Sequence, residues 1–364
     1  MARGNSRYIR MRSIIQLLIS LCVFAMCSSF STPSPNIGNI NKSAGDAIVA
    51  PTLKKTRKRK KKGPSQLPKK PRPRIPIIQY HDDWVCVSKA SSMMVHKSRN
   101  TARTQLVLGT LLKRQLARKV FPVHRLDYRT SGAILFAFNS ETCNSLHKAL
   151  TFDGTSDENS VVSEDKDLPQ ESQKNYVALV RGDWTRKFDS SEVVTIDKSL
   201  NVKGKIKESK TEFRLIASSP GDETDPYSPA ACSLVLCTPK TGRTHQIRRH
   251  AYAMGFPIIG DSEHGDSKVN RWWRENRSFN RLFLHCLSLD LPPLSTFDRS
   301  KSKERIECTA PLFPDLLEVL EHNELKDLWD TAKKNEPRLT LELVDEKGGT
   351  FGRNYKKSKE EPSS

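Results

Sequence analysis

The sequence predicts a globular domain that mixes β-strands and α-helices. Strand-like and helix-like stretches interleave between residues 75 and 325, the composition is that of a globular protein, and no nucleotide-binding glycine motif is present. Of 364 residues, 36% are hydrophobic and 28% charged, enough for a sizeable core. No G-x-G-x-x-G follows a predicted strand and no P-loop occurs, which argues against a doubly wound nucleotide-binding fold. The net charge is +20, but residues 1 to 80 hold 17 Lys and Arg against one acid, Asp46, and so carry +16 of it. The remainder is close to neutral, so any contact with nucleic acid must come from local basic patches.

At the N-terminus, Arg3, Arg7, Arg10 and Arg12 precede an apolar run from Ile14 to Cys27, then Ser28 and Ser29. Residues 1–29 read as a signal-peptide-like leader, short for a transmembrane span. The stretch that follows is rich in Ser, Asn, Pro and Lys and almost free of acids, as transit peptides are. The pair resembles the bipartite leaders of algae with secondary plastids. The expected address is therefore the plastid, with the mitochondrion second and secretion third, and no stable membrane association is expected once the leader is removed. The run KKTRKRKKK from Lys54 to Lys62 reads alternatively as a nuclear signal or an RNA-binding arm. Five prolines between Pro64 and Pro76 make an extended linker, so residues 30–74 are expected to be disordered and the domain to start near Ile75.

Along the domain, Ile77-Ile78 and Trp84 to Val87 flank Asp82-Asp83 as a short hairpin. A helix is expected from about Ala102 to Lys119, a strand from Ala133 to Phe138, and a helix from Ser140 to Leu150 with Ser140 as its cap. Residues 151–173 are acidic and lack periodicity, which predicts an exposed insertion loop. Strands are expected at Asn175 to Val180, Glu212 to Ala217, Ser233 to Cys237 and Leu282 to Leu289, with a helix from about Arg243 to Met254 stopped by Gly255. Residues 326–364 read as a charged extension with a disordered end. Six cysteines lie beyond the leader, with none of the Cys-x-x-Cys or Cys/His spacings of zinc sites; no metal is expected and a reducing compartment is.

Three stretches carry chemistry. In His124-Arg125-Leu126-Asp127-Tyr128-Arg129-Thr130-Ser131-Gly132, an acid sits between two arginines at the mouth of a strand. Positive neighbours favour its carboxylate form, which suits nucleophilic attack. Lys174-Asn175-Tyr176-Val177-Ala178-Leu179-Val180-Arg181-Gly182 reads as a strand with Tyr176, Ala178 and Val180 on one face, and a Tyr there can stack on a base. Pro239 to His250, PKTGRTHQIRRH, is a strand end, a Gly turn and a helix start, where basic groups and free N–H donors suit phosphates or a carboxylate. Each residue taken singly is more often an ordinary packing or surface residue.

Together the three stretches resemble the signature of the RluA-type pseudouridine synthases: an HRLD-x-x-TSG segment, a K-x-Y-x-A-x-V-x-G strand and a TGRTHQIR-x-H segment, over roughly residues 75–325. Arg248-Arg249-His250, Gly260 to Asp266, Asn270-Arg271 and Arg281 to His285 resemble, more narrowly, the subgroup that modifies uridine 65 of bacterial tRNA. The resemblance implies a mixed α/β fold of the α+β kind, in a single catalytic domain with a largely antiparallel central sheet and flanking helices. It implies isomerisation of a uridine in RNA, tRNA first and rRNA or another organellar RNA second, by a monomer without cofactor or metal, on a base flipped out of the RNA. It implies Asp127 as the catalytic carboxylate, Arg243 as its ion-pair partner, Tyr176 against the uracil and in proton transfer at C5, Arg125 in the gap left by the base, and Ile247 on the base's other side. His124, Thr130, His245, Gln246 and Arg248 complete the expected pocket, the two histidines by hydrogen bonding. Tyr128, where the family more often has a basic residue, and the acidic insertion depart from the pattern. The rival reading, a catalytically idle RNA-binding protein on the same fold, predicts loss of Asp127, Tyr176 or Arg243, and all three are present.

Overall fold

The computed structural model describes residues 73–97, 105–152, 171–221, 228–296 and 302–342. The leader, nearly all of the linker, the body of the acidic insertion and the end of the charged extension lie outside the described residues. Strand β1 (Ile77–Tyr80) turns through His81 to Asp83 into β2 (Trp84–Lys89), the antiparallel hairpin that the sequence predicts. Helix α1 (Leu108–Gln115) is shorter than predicted, because Val107 is held in a bridge to Met94 and Ala117 takes a left-handed φ of 50°. After the two-residue β3 (Phe121–Pro122) comes β4 (Ser131–Ala137), buried along its whole length. Its Gly132 has φ 112°, and a Cβ there would meet the Cys286 carbonyl oxygen at 2.2 Å, so only glycine permits this approach. Helix α2 (Ser140–Thr151) is capped by Asn139, whose Oδ1 accepts from Thr142 N at 2.7 Å; Ser140 is the first helical residue and not the cap.

The remaining strands are β5 (Gln173–Arg181), β6 (Val193–Asp197), β7 (Leu200–Val202), β8 (Lys205–Lys207), β9 (Lys210–Ser219), β10 (Cys232–Pro239), β11 (Leu284–Leu291) and β12 (Ile306–Thr309). Ten of the strands form one sheet in the order β1-β2-β4-β11-β5-β10-β9-β6, with β3 on β4 and β12 on β11, while β7 and β8 make a separate ribbon. The sheet is largely antiparallel, as expected. The parallel pairing is β4 with β11, through His285↔Ser131 and Cys286↔Gly132.

Helix α3 (Gln246–Met254) begins three residues later than predicted, since His245 is left-handed at φ 54°, and it stops at Gly255. Helix α4 (Ser267–Arg277), capped by Asp266, was not foreseen; α5 (Pro314–Leu320) and α6 (Lys326–Asn335) follow β12. Helix α6 moves the predicted domain end at residue 325. Leu328, Trp329 and Ala332 are buried, and Asn335 Nδ2 donates to the Ile216 carbonyl of β9 at 2.8 Å. The signal was present in the sequence, because Leu325, Leu328, Trp329 and Ala332 have helical spacing.

The core lies in three parts. One is built on β2 and β4 with α1 and α2. The other two cover opposite faces of β5 and β10: Val177 and Leu179 point to the side of α4, α5 and α6, and Ala178 and Val180 to the side of α3. Tyr176 has the parity of Ala178 and packs against both the first and the third part. This strand alternation, read from the sequence, places Tyr176 at the seam between the two halves of the sheet. Among the described residues no helix is long and apolar enough to cross a membrane.

Candidate active site

A cleft of about 190 Å³ opens at that seam, lined by the loop before β4, by Tyr176 on β5, by the β10–α3 turn and by Leu284. Pockets for drug-sized ligands hold roughly 300–1,000 Å³, so this one suits a single heterocycle. Asp127 stands in it, partly exposed. The loop that carries Asp127 is bolted down through its backbone. Lys89 Nζ donates to the carbonyls of Ala90, Met93 and Tyr128 at 3.1, 2.9 and 3.2 Å, and Ser91 Oγ donates to the Arg129 carbonyl at 2.8 Å. Burial, with the charge of Arg281, lowers the Lys89 ammonium to about 7, while the charge of Asp127 works in the opposite direction.

The structure corrects the expected partners of Asp127. Arg129 Nη1 turns to Ser262 Oγ, and Arg125 is exposed on the rim, so Asp127 is not held between these two. Arg243 lines the turn, but its Nε donates to the Glu208 carbonyl at 3.0 Å. The charge facing Asp127 is Arg248, whose Nη1 lies 3.8 Å from Asp127 Oδ2. Helix phase explains the exchange. A start at Gln246 puts Ile247, Arg248 and Ala251 inward, whereas Arg243 lies before the first turn.

Arg248 is buried and forked onto Asp261, Nε to Oδ2 and Nη2 to Oδ1, both at 2.7 Å. Burial opposes the guanidinium charge, but the hydrogen bonds to Asp261 and the charges of Asp261, Glu263 and Asp127 outweigh it and raise its pKa. For Asp261 burial pushes upward, and the bonds from Arg248 and from the backbone N–H groups of His264 and Glu263 bring it below the ordinary carboxylate range. Asp261 is therefore the residue that holds Arg248 in front of Asp127, a role that its place in the stretch Gly260 to Asp266 of the narrower resemblance does not reveal.

The other expected residues divide. Tyr176 and Ile247 face the cleft. Burial raises the Tyr176 phenol well above its usual value, and the Cys286 thiol and the charge of Asp127 add to this. The phenol is thus held protonated. Thr130 also lines the cleft, and its buried Oγ1 finds no hydrogen-bond partner among the described residues. A buried hydroxyl without a partner costs about 1–3 kcal/mol unless a ligand satisfies it. His245 reaches the cleft with Nε2 3.9 Å from Asp127 Oδ2, while its Nδ1 lies 3.2 Å from His264 Nε2.

Gln246 and His124 do different work from a pocket wall. Gln246 Nε2 donates to the Lys210 carbonyl and Thr211 Oγ1, and Oε1 accepts from Thr241 Oγ1 and Arg243 N, all within 3.0 Å, so it rivets the turn to β9. His124 lies behind the cleft and accepts from Leu135 N at 3.2 Å. Burial lowers it to about 3, with the charges of Lys174 and His147 acting in the same sense, so it is a neutral acceptor.

Residues 83–253 match the family described as RNA pseudouridylate synthase. The chain is 31% identical to the tRNA pseudouridine synthase C of Haemophilus ducreyi over 245 residues, 65% of this chain and 91% of that one. It is 34% identical to the protein of the same name from Haemophilus influenzae over 247 residues, 65% and 92% of the two chains. Among solved structures, human RNA Pseudouridylate Synthase Domain Containing 1 aligns at 24% identity and a TM-score of 0.47, covering 67% of this chain and 86% of that one.

Proposed function

Because the chain belongs to the RNA pseudouridylate synthase family, and so is an RNA-modifying isomerase, we propose that it converts a uridine of a tRNA to pseudouridine, with Asp127 as the catalytic carboxylate. The observation that carries this reading is the cleft itself: one acid, Asp127, faced by one buried arginine, Arg248, between the flat ring of Tyr176 and the side chain of Ile247. The tRNA substrate is supported by the relatives, which are named for it.

The reaction breaks the bond between N1 of the uracil and C1′ of the ribose and forms one between C5 and C1′. A proton leaves C5 and one arrives at N1, so atoms balance without a second substrate. A stacked base is out of reach, and extruding it costs a few kcal/mol. A cleft of about 190 Å³ receives the extruded ring. Arg248, pinned by Asp261, faces the Asp127 carboxylate and orients it toward the sugar. Tyr176, kept protonated, handles the C5 proton as a relay and not as a phenolate: its oxygen accepts that proton as its own passes to solvent, and solvent returns one to N1. Thr130 Oγ1 supplies a hydrogen bond to the bound nucleotide.

The test is pseudouridine mapping of small RNA from a host that lacks its own tRNA pseudouridine synthase C, supplied with the full chain as wild type or as Asp127→Ala. Wild type is expected to restore one tRNA position and Asp127→Ala none. Modification of ribosomal RNA alone would reject the tRNA assignment, and an active Asp127→Ala would reject the catalytic one.

A further inference from the structure

Beside the catalytic cleft, on the side away from Tyr176, three side chains from two segments converge. His245 comes from the turn before α3, and Glu263 and His264 from the loop before α4. Their nearest donor atoms all lie within 4.8 Å of one another. The same atom, His245 Nδ1, faces both partners, His264 Nε2 at 3.2 Å and Glu263 Oε2 at 3.4 Å. Ligands bound at about 2.0–2.1 Å to a tetrahedral zinc ion stand roughly 3.3–3.4 Å apart, so the two separations at His245 Nδ1 match a coordination shell, while the other Glu263 oxygen, Oε1, lies 3.4 Å from Arg248 Nη2.

The loop is also set in advance. Glu263 N and His264 N donate to Asp261 Oδ1 at 2.9 and 3.0 Å, and Asn270 Nδ2 donates to the Asp261 carbonyl at 2.8 Å. His245 is itself held in a left-handed backbone conformation, in which a non-glycine residue is kept only by its surroundings. Two ring nitrogens facing each other with a carboxylate beside them require a shared proton or a cation between them. The proton alternative leaves the carboxylate at a loose 3.4 Å.

We propose that His245, Glu263 and His264 form a binding site for a divalent transition-metal ion of the zinc class, with two nitrogen ligands, one carboxylate oxygen and a fourth position open toward the cleft. An ion on His245 Nδ1 fixes the proton of that ring on Nε2, the nitrogen 3.9 Å from Asp127 Oδ2. The chain carboxylate–imidazole–metal is the arrangement by which outer-shell groups orient metal-bound histidines. Here the carboxylate facing the outer nitrogen is Asp127, at a separation longer than a hydrogen bond. Occupancy therefore couples the ion to the cleft through the imidazole that faces Asp127. The sequence hides the site: His245 and His264 are separated by a helix and a turn, with none of the short spacings that mark metal motifs.

The experiment is titration of Co²⁺ into the untagged full chain, followed by visible absorption, then displacement by Zn²⁺. Wild type is expected to show the strong bands of tetrahedral Co²⁺ at about one ion per chain. His264→Ala and Glu263→Gln should each weaken binding by roughly tenfold or more. Asp127→Ala should keep the bands, because Asp127 is not a ligand. Thermal melts of the variants confirm that each is folded. Wild type without tetrahedral bands overturns the proposal. So do bands that survive unchanged in both His264→Ala and Glu263→Gln, since they place the ion elsewhere, on thiolates for example. The readout is independent of RNA modification, so it stands or falls apart from the function proposed above.

Discussion

The two segments that close the cleft are anchored on opposite plans. The loop before β4 is tied down through backbone carbonyls, by Lys89 and Ser91, and its Asp127 side chain has only long contacts, 3.8 Å to Arg248 and 3.9 Å to His245. The segment from Thr241 to His250 is tied down through its side chains: Gln246 makes four hydrogen bonds, Arg248 is forked onto Asp261, and His250 is held between Thr211 and the Lys198 carbonyl. Backbone anchoring leaves a side chain free to react, whereas side-chain anchoring consumes it. The polar side chains of the first loop that face the cleft are therefore working candidates, and most of those in the second are framework. Arg248 does both.

The largest effects are expected from replacing, one at a time, Arg248 and Arg243 of the second segment. Arg248→Met leaves Asp261 buried without its partner, which should cost about 3–5 kcal/mol in denaturant unfolding, and it should lower turnover on a tRNA transcript by about 10²–10³-fold. Arg243→Met should stay within about tenfold of wild type, the loss of one exposed contact to Glu208. A larger activity loss for Arg243→Met than for Arg248→Met would return the ion pair to Arg243.

Gln246→Ala probes framework alone. With four bonds lost and their partners stranded, about 2–3 kcal/mol of stability should go, while the folded fraction keeps its catalytic rate. Loss of rate at full folding would make Gln246 part of the chemistry.

Acid sharpens the comparison next. His124 and His285 are held down to about 3 and about 4, chiefly by burial. Below an unfolded value near 6.5 the unfolded chain takes up protons that the folded chain refuses, so stability is full above that pH and falls as pH drops toward 4. Each histidine contributes a slope of up to about 1.4 kcal/mol per pH unit. His124→Gln, which keeps an acceptor for Leu135 N, should remove one such slope in urea midpoints measured between pH 7 and 4.5. An unchanged slope would show that His124 is charged in the folded protein.

The smallest stability effect belongs to Thr130→Val. It removes a hydroxyl that has no partner, so stability should change by less than about 1 kcal/mol, or rise, while activity falls by about tenfold for one lost substrate bond. Equal losses in both would make Thr130 framework, like Gln246.

Much of this was legible in the sequence, and for local reasons. Period-two alternation along Asn175 to Val180 fixed which face Tyr176 shares, Gly255 marked the end of α3, and the Asp82-Asp83 turn marked the first hairpin. Helix starts were misread by a few residues, because Asn139 and a left-handed His245 are decided by single dihedrals and caps. Helix α6 was legible from its spacing and was read as a charged extension, its Lys and Asp residues masking the apolar stripe.

The set of segments and the residue types they bring follow from the order of residues alone, since motifs, alternation and turn residues are properties of neighbours along the chain. Only the tertiary structure decided which arginine meets Asp127, that Asp261 holds it there, and that His245, Glu263 and His264 stand together. Those pairings depend on the phase of α3 and on the docking of the loop before α4. Both are set by burial against the sheet across long stretches of chain, where spacing along the sequence carries no distance.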